Sequence, residues 1–176
     1  GTATLSNAEG ILTAGPLTLN HADLTLTGNN EYGGEDAIRA GRSDREITIQ
    51  NSKVTIAGAN SEGNFFQYGI RCGNLTVVGS TLDVKANASS IAADTMEVSG
   101  ADTVVVSETD STDEEEFYAL ALDDETSLTL HDGLALVAGK VNESKTAKIA
   151  QPEQIPDPTG YAAYWVVRPG DEKVQS

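Results

Sequence analysis

Ile47 to Gly58 reads ITIQNSKVTIAG, and Tyr68 to Ala86 reads YGIRCGNLTVVGSTLDVKA. Each stretch holds a short strand with apolar residues at every second position, a tight corner, and a second strand with the same alternation. A period of two means one buried face and one outward face. The pattern recurs five times, from Leu17 (LTLNHADLTLTG), Ile47, Leu75, Met96 (MEVSGADTVVVS) and Leu128 (LTLHDGLALVAG). After a gap of varying length, each unit adds a third strand, as in Ala37-Ile38-Arg39-Ala40 and Gly69-Ile70-Arg71-Cys72. Start-to-start distances are 30, 28, 21 and 32 residues. Units this thin cannot bury an apolar face alone, so neighbours must stack.

The expected fold is all-β: a single-stranded, right-handed parallel β-helix with three strands per coil, about five to six coils and a C-terminal cap. Right-handedness follows the general preference of parallel crossovers. Residues 1–150 form the solenoid. Residues 151–176, with four of the five prolines and the only Trp, form a dissimilar segment of the same domain whose strand near Tyr161–Val167 caps the last coil. Trp165 is expected to pack near Leu128–Val137. Leu17 and Leu19, Ile47 and Ile49, Leu75 and Val77, Met96 and Val98, and Leu128 and Leu130 should point inward. Thr18, Thr48, Thr76, Glu97 and Thr129 should form an outward row, explained by the strand preference of threonine. In the fourth unit the alternation leaves two registers open, Thr103 with Val105 inward or Val104 with Val106 inward.

The corner repeats better than the strands. Two residues past the first strand stand His21, Asn51, Gly79, Gly100 and Asp132, types that tolerate a left-handed backbone. The position after each is always small: Ala22, Ser52, Ser80, Ala101 and Gly133.

Composition narrows the function. The chain has 27 acidic against 11 basic residues and a formal net charge of −16. Such a surface is unsuited to phosphate backbones or anionic membranes, so no nucleic-acid partner is expected. No apolar run reaches the length of a membrane span. Aromatics are 5% of the chain, so Leu, Ile, Val and Ala must fill thin layers. The single cysteine, Cys72, aligns with Ala40 and Ala93 and reads as an inert core filler. The opening residues read as the end of a coil, so a fragment of a longer protein is expected.

The motifs ITIQNSKVTIAG, YGIRCGNLTVVGSTLDVKA and SLTLHDGLALVAG resemble the β-helical repeats of secreted and cell-surface proteins of anaerobic, gut-type bacteria. These are adhesin-like or predicted carbohydrate-binding proteins, related in fold to pectate lyases. The resemblance covers about residues 10–150. It implies an extracellular or cell-surface location and a glycan or protein ligand. Carbohydrate-active members of the fold use stacked acids, with or without calcium and a basic residue.

No such constellation stands out. Asp123-Asp124 has no partner motif, and His21 and His131 lie several layers apart. The acidic stretch Glu108–Glu116 lacks the Gly-punctuated spacing of a calcium loop and reads as a solvated insertion. No catalytic residue, metal or cofactor is assigned. The better lead is aromatic: Tyr32, Phe65, Phe66 and Tyr68 lie in the insertions or where these join the third strand. Beside them, Arg39 and Arg71 hold the same outward position of successive coils. Two adjacent guanidinium groups repel, so they need an acidic neighbour such as Glu35, Asp36 or Glu62, or an anionic ligand. These six residues form the candidate ligand site. The leading expectation is a non-catalytic binding or adhesin module. The alternatives are a carbohydrate-active β-helix enzyme and a purely structural stalk.

Overall fold

The computed structural model describes residues 1–8, 10–28, 36–41, 45–57, 66–109, 119–123, 126–139, 148–150 and 164–169. Among them the regular structure is all strand. One eight-stranded sheet has the order β1 (Thr2–Ala8), β4 (Asp23–Gly28), β7 (Lys53–Ala57), β9 (Thr81–Ala86), β11 (Val104–Thr109), β16 (Tyr164–Pro169), β14 (Leu134–Gly139), β15 (Lys148–Ala150). The second follows β12 (Leu120–Ala121), β10 (Ile91–Ser99), β8 (Tyr68–Val78), β5 (Asp36–Ala40), β2 (Ile11–Thr13), with β13 (Leu128–Leu130), β3 (Leu17–Asn20) and β6 (Glu46–Gln50) paired alongside. All pairings are parallel except those of β15 and β16.

The register follows the repeat residue by residue. Leu17 pairs Ile47, Ile47 pairs Leu75, Leu75 pairs Met96 and Met96 pairs Leu128. The threonine row pairs likewise, from Thr18 through Thr48, Thr76 and Glu97 to Thr129. In the other sheet Leu24 pairs Val54, Val54 pairs Leu82, and Leu82 pairs Val105. A one-residue slip would turn every Leu, Ile and Val outward, so the pattern itself pins the register. The inward residues of both sheets form one core. Of the two registers open in the fourth unit, the core takes Thr103 and Val105; Ser107 and Thr109 follow on the same face. Their buried hydroxyls donate to backbone carbonyls, Ser107 to Ala119 and Thr109 to Ala88, which removes the cost of bringing them inside.

All five corner residues have positive φ: His21 52°, Asn51 48°, Gly79 53°, Gly100 92° and Asp132 56°. The serines behind them stitch layer to layer. Ser52 Oγ accepts from the Ala22 N–H at 3.0 Å and donates to the Gln50 carbonyl at 2.7 Å. Ser80 Oγ accepts from the Ser52 N–H at 3.0 Å and donates to the Val78 carbonyl at 2.7 Å.

Two features depart from the expected outline. The third strand of one unit and the first of the next do not form separate sheets. They run on as one strand, Ile70–Cys72 into Leu75–Val77 within β8, and Ile91–Ala93 into Met96–Val98 within β10. At the junction the N–H groups of Gly73 and Asn74 both donate to the Arg45 carbonyl, at 2.7 and 3.0 Å. Sharing one acceptor bends a strand without ending it, as at a β-bulge. The second departure is β16, which lies between β11 and β14 and pairs antiparallel with both. The side chain of Trp165 lies outside the described residues.

Candidate functional site

The site begins with β5 and its neighbour in β8. Ile38 and Ile70 are paired and fully buried. Alternation therefore turns the paired Arg39 and Arg71 outward from the same sheet, in adjacent strands about 5 Å apart. The expected acidic neighbour is Asp36, at the start of β5 and only 3% exposed. Its Oδ2 accepts from Arg71 Nη2 at 2.7 Å and from Arg39 Nη1 at 3.4 Å. Arg71 is further fixed by Tyr68, whose ring centroid lies 4.6 Å from the guanidinium carbon. Arg71 is thus clamped. Arg39, with its long bond and 49% exposed side chain, is the freer cation.

A third arginine joins them. Arg45 precedes β6, and its Nη2 donates to Asp94 Oδ2 at 2.5 Å. The two residues belong to units on either side of Gly73, and the pair crosses over it. A Cβ on Gly73 would stand 3.2 Å from Arg45 Cβ and 3.4 Å from Asp94 Oδ2, so any side chain there would press on the ion pair. Arg39, Arg45 and Arg71, with Ala40, Gly41 and Cys72, line a hollow of 350 Å³. The Asp94 side follows in a second hollow of 300 Å³, which also reaches Asp123. Among the described residues, two carboxylates contact these three guanidinium groups, on a chain of net charge −16.

Cys72 forms part of the floor and is 3% exposed. Burial, with a smaller push from Asp94, raises its thiol pKa to about 12 against a weaker opposing pull from Arg45. A thiol held this far above neutrality stays protonated and is a poor nucleophile.

The remaining expected site residues divide. Tyr68 stands beside Arg71. Phe66 is 1% exposed and belongs to the core, so its ring is not a surface platform. Tyr32 and Phe65 lie outside the described residues, as do residues 110–116 of the acidic insertion. Arg45 was missed because it lies outside the strands. Its signal was positional: Arg45, Gly73 and Asp94 each stand two residues before a first strand, which puts opposite charges on either side of a glycine.

Among the described residues no group of three His, Cys, Asp or Glu side chains could hold a metal ion, and no helix is long and apolar enough to cross a membrane. In comparisons with known proteins, the chain matches no family model, no curated protein and no solved structure.

Proposed function

We propose that the chain is a right-handed parallel β-helix segment of an adhesin-like secreted or cell-surface protein, acting as a non-catalytic recognition module. Three strand segments per turn, two of them merged into one sheet, fit this reading. So does the pairing of equivalent residues through successive units. The observation that carries the binding role is the gathering of Arg39, Arg45 and Arg71 around one hollow in a strongly acidic chain. Cations in such a chain ordinarily scatter among carboxylates. Three that line one concavity form a place where an anionic or polar ligand is attracted and oriented.

The test is a glycan array run beside a polysaccharide-cleavage screen, with parent protein and an Arg39→Ala/Arg45→Gln variant. Arg71 is retained because it holds the buried Asp36. The parent is expected to bind a subset of glycans without releasing new sugar ends, and the variant to lose that binding while keeping its melting temperature. Measurable release of sugar ends would replace this reading with an enzyme. A parent that binds no glycan and captures no protein would replace it with a stalk.

A further inference from the structure

We infer that the hollow is a subsite for the carboxylate of an acidic sugar, and that Asp94 is a built-in competitor for one of its three arginines. This rests on the recognition reading above and narrows it to a ligand class.

Charge comes first. Arg71 is committed to Asp36 and Tyr68, but each guanidinium carries five donors and Asp36 engages only one on each arginine. Arg39 and Arg45 present half-exposed side chains, 49% and 48% accessible, to the same 350 Å³ space. Planar forks from two directions suit a carboxylate, which accepts two parallel N–H bonds. The space lies at the small end for organic ligands, a fit for one ring and its acidic group rather than a folded protein element.

The surroundings favour a sugar over a protein. Interfaces between proteins centre on large apolar or aromatic anchors. Among the described residues the only exposed large hydrophobic side chain is Leu12, at the edge beside Arg39. The surface that continues along β8 and β10 is instead polar, and includes the exposed Glu97 beside Thr76. Asn74, Thr76 and Thr95 occupy it, with the Thr95 hydroxyl donating to Asn74 Oδ1 at 2.7 Å. Flat amide and hydroxyl groups next to a cationic hollow match the hydroxyls and acidic group of a glycan.

Asp94 gives the site a distinctive signature. Its carboxylate already holds one Arg45 donor, so an incoming carboxylate meets a partly satisfied cation and a nearby negative charge. Removing that charge should strengthen binding, whereas losing a merely structural ion pair would leave binding unchanged or weaken it.

Calorimetry with 3′-sialyllactose and a glucuronate disaccharide, each beside its uncharged counterpart, tests the inference. At least one acidic sugar should bind tenfold or more tightly than its neutral partner, and less tightly as salt rises. Arg45→Gln and Arg39→Gln should each weaken it at least fivefold, and Asp94→Asn should tighten it about threefold. Lys53→Gln removes the same charge from the opposite edge and should change binding less than twofold. Equal binding of neutral and acidic sugars overturns the inference but leaves glycan recognition standing, as does an equal loss from Lys53→Gln. Binding of polyglutamate with no acidic sugar moves the ligand class to protein. No binding of any glycan or protein removes both this inference and the reading beneath it.

Discussion

The corner edge and the arginine edge of this molecule follow opposite rules. At the corner, five units place a residue of positive φ at the same point, and the Ser52 and Ser80 hydroxyls join neighbouring layers in the same way. At the arginine edge almost nothing repeats: Leu12, Arg39, Arg71, Ala92 and Ala121 share one column. The regular edge answers to backbone geometry, which every layer must satisfy. The irregular edge is free of that demand, and three arginines gather around one hollow where the repeat is broken.

The sharpest way to break the comparison is at the corner. Gly100 has φ of 92°, and an added Cβ would stand 2.7 Å from the Gly79 nitrogen. Gly79 has φ of 53° and would meet only Asn51 Oδ1 at 3.2 Å. Gly100→Val should therefore cost on the order of 3 kcal/mol or more, and Gly79→Val about 1–3 kcal/mol. Urea denaturation of both variants measures this, and equal losses would mean that the two corners are not graded by space.

At the arginine edge the two paired cations should differ. The register alone treats both as surface residues of little weight for stability. Asp36 changes that, because truncating Arg71 leaves a buried carboxylate with only a 3.4 Å contact. Arg71→Ala should cost about 2 kcal/mol, below the range for fully buried pairs because Arg71 is itself partly exposed. Arg39→Ala should stay within about 0.5 kcal/mol. Thermal melts that show no difference would place Asp36 outside the energetics of the fold.

Ser80→Ala tests whether the layer-to-layer stitching matters. It orphans the Ser52 N–H inside the corner and should cost about 1–2 kcal/mol. Thr81→Ala, at an exposed strand start one residue on, should be nearly silent. The last test concerns Cys72, whose effect is confined to alkaline pH. Its thiol pKa is raised from 9.0 to about 12 by burial first and by Asp94 second. The folded state therefore holds this proton more tightly than the unfolded state. The resulting stability is whole below pH 9 and declines as pH rises toward 12. At pH 8 a disulfide reagent should label the native thiol far more slowly than the urea-unfolded one; equal rates would contradict a sealed floor.

The two edges were not equally legible in the sequence. Alternation identified the buried partners of the first-strand ladder, from Leu17 to Leu128, because a strand with one core face has little freedom in register. In the second-strand ladder it left Val105 undecided, since Thr103 to Val106 alternates acceptably in either register. The corner types announced positive φ because few residues tolerate it. Alternation says which face a residue takes but not which strand lies beside it. For that reason β16 could be recognised as a strand without its place between β11 and β14. The merger of third and first strands was hidden in β8 by Gly73, which interrupts the alternation but lets a bent strand continue, and in β10 by Asp94 at the same point. Phe66 was grouped with Tyr68 by proximity, although its ring belongs to the core. Arg39 and Arg71 were legible as a pair. Arg45 was not, since a residue outside a strand carries no periodic signal.

The position of β16 has a consequence in time. Every parallel pairing joins neighbouring units and could form as the chain emerges, one layer upon the last. Val105 and Leu136, by contrast, are joined through Val167, so the sheet stays interrupted until residues 164–169 have been made and have entered between two strands already in place. Contacts this distant along the chain form late. Until then β11 and β14 expose open edges, and this is the interval in which the nascent molecule is most prone to pair with a stranger.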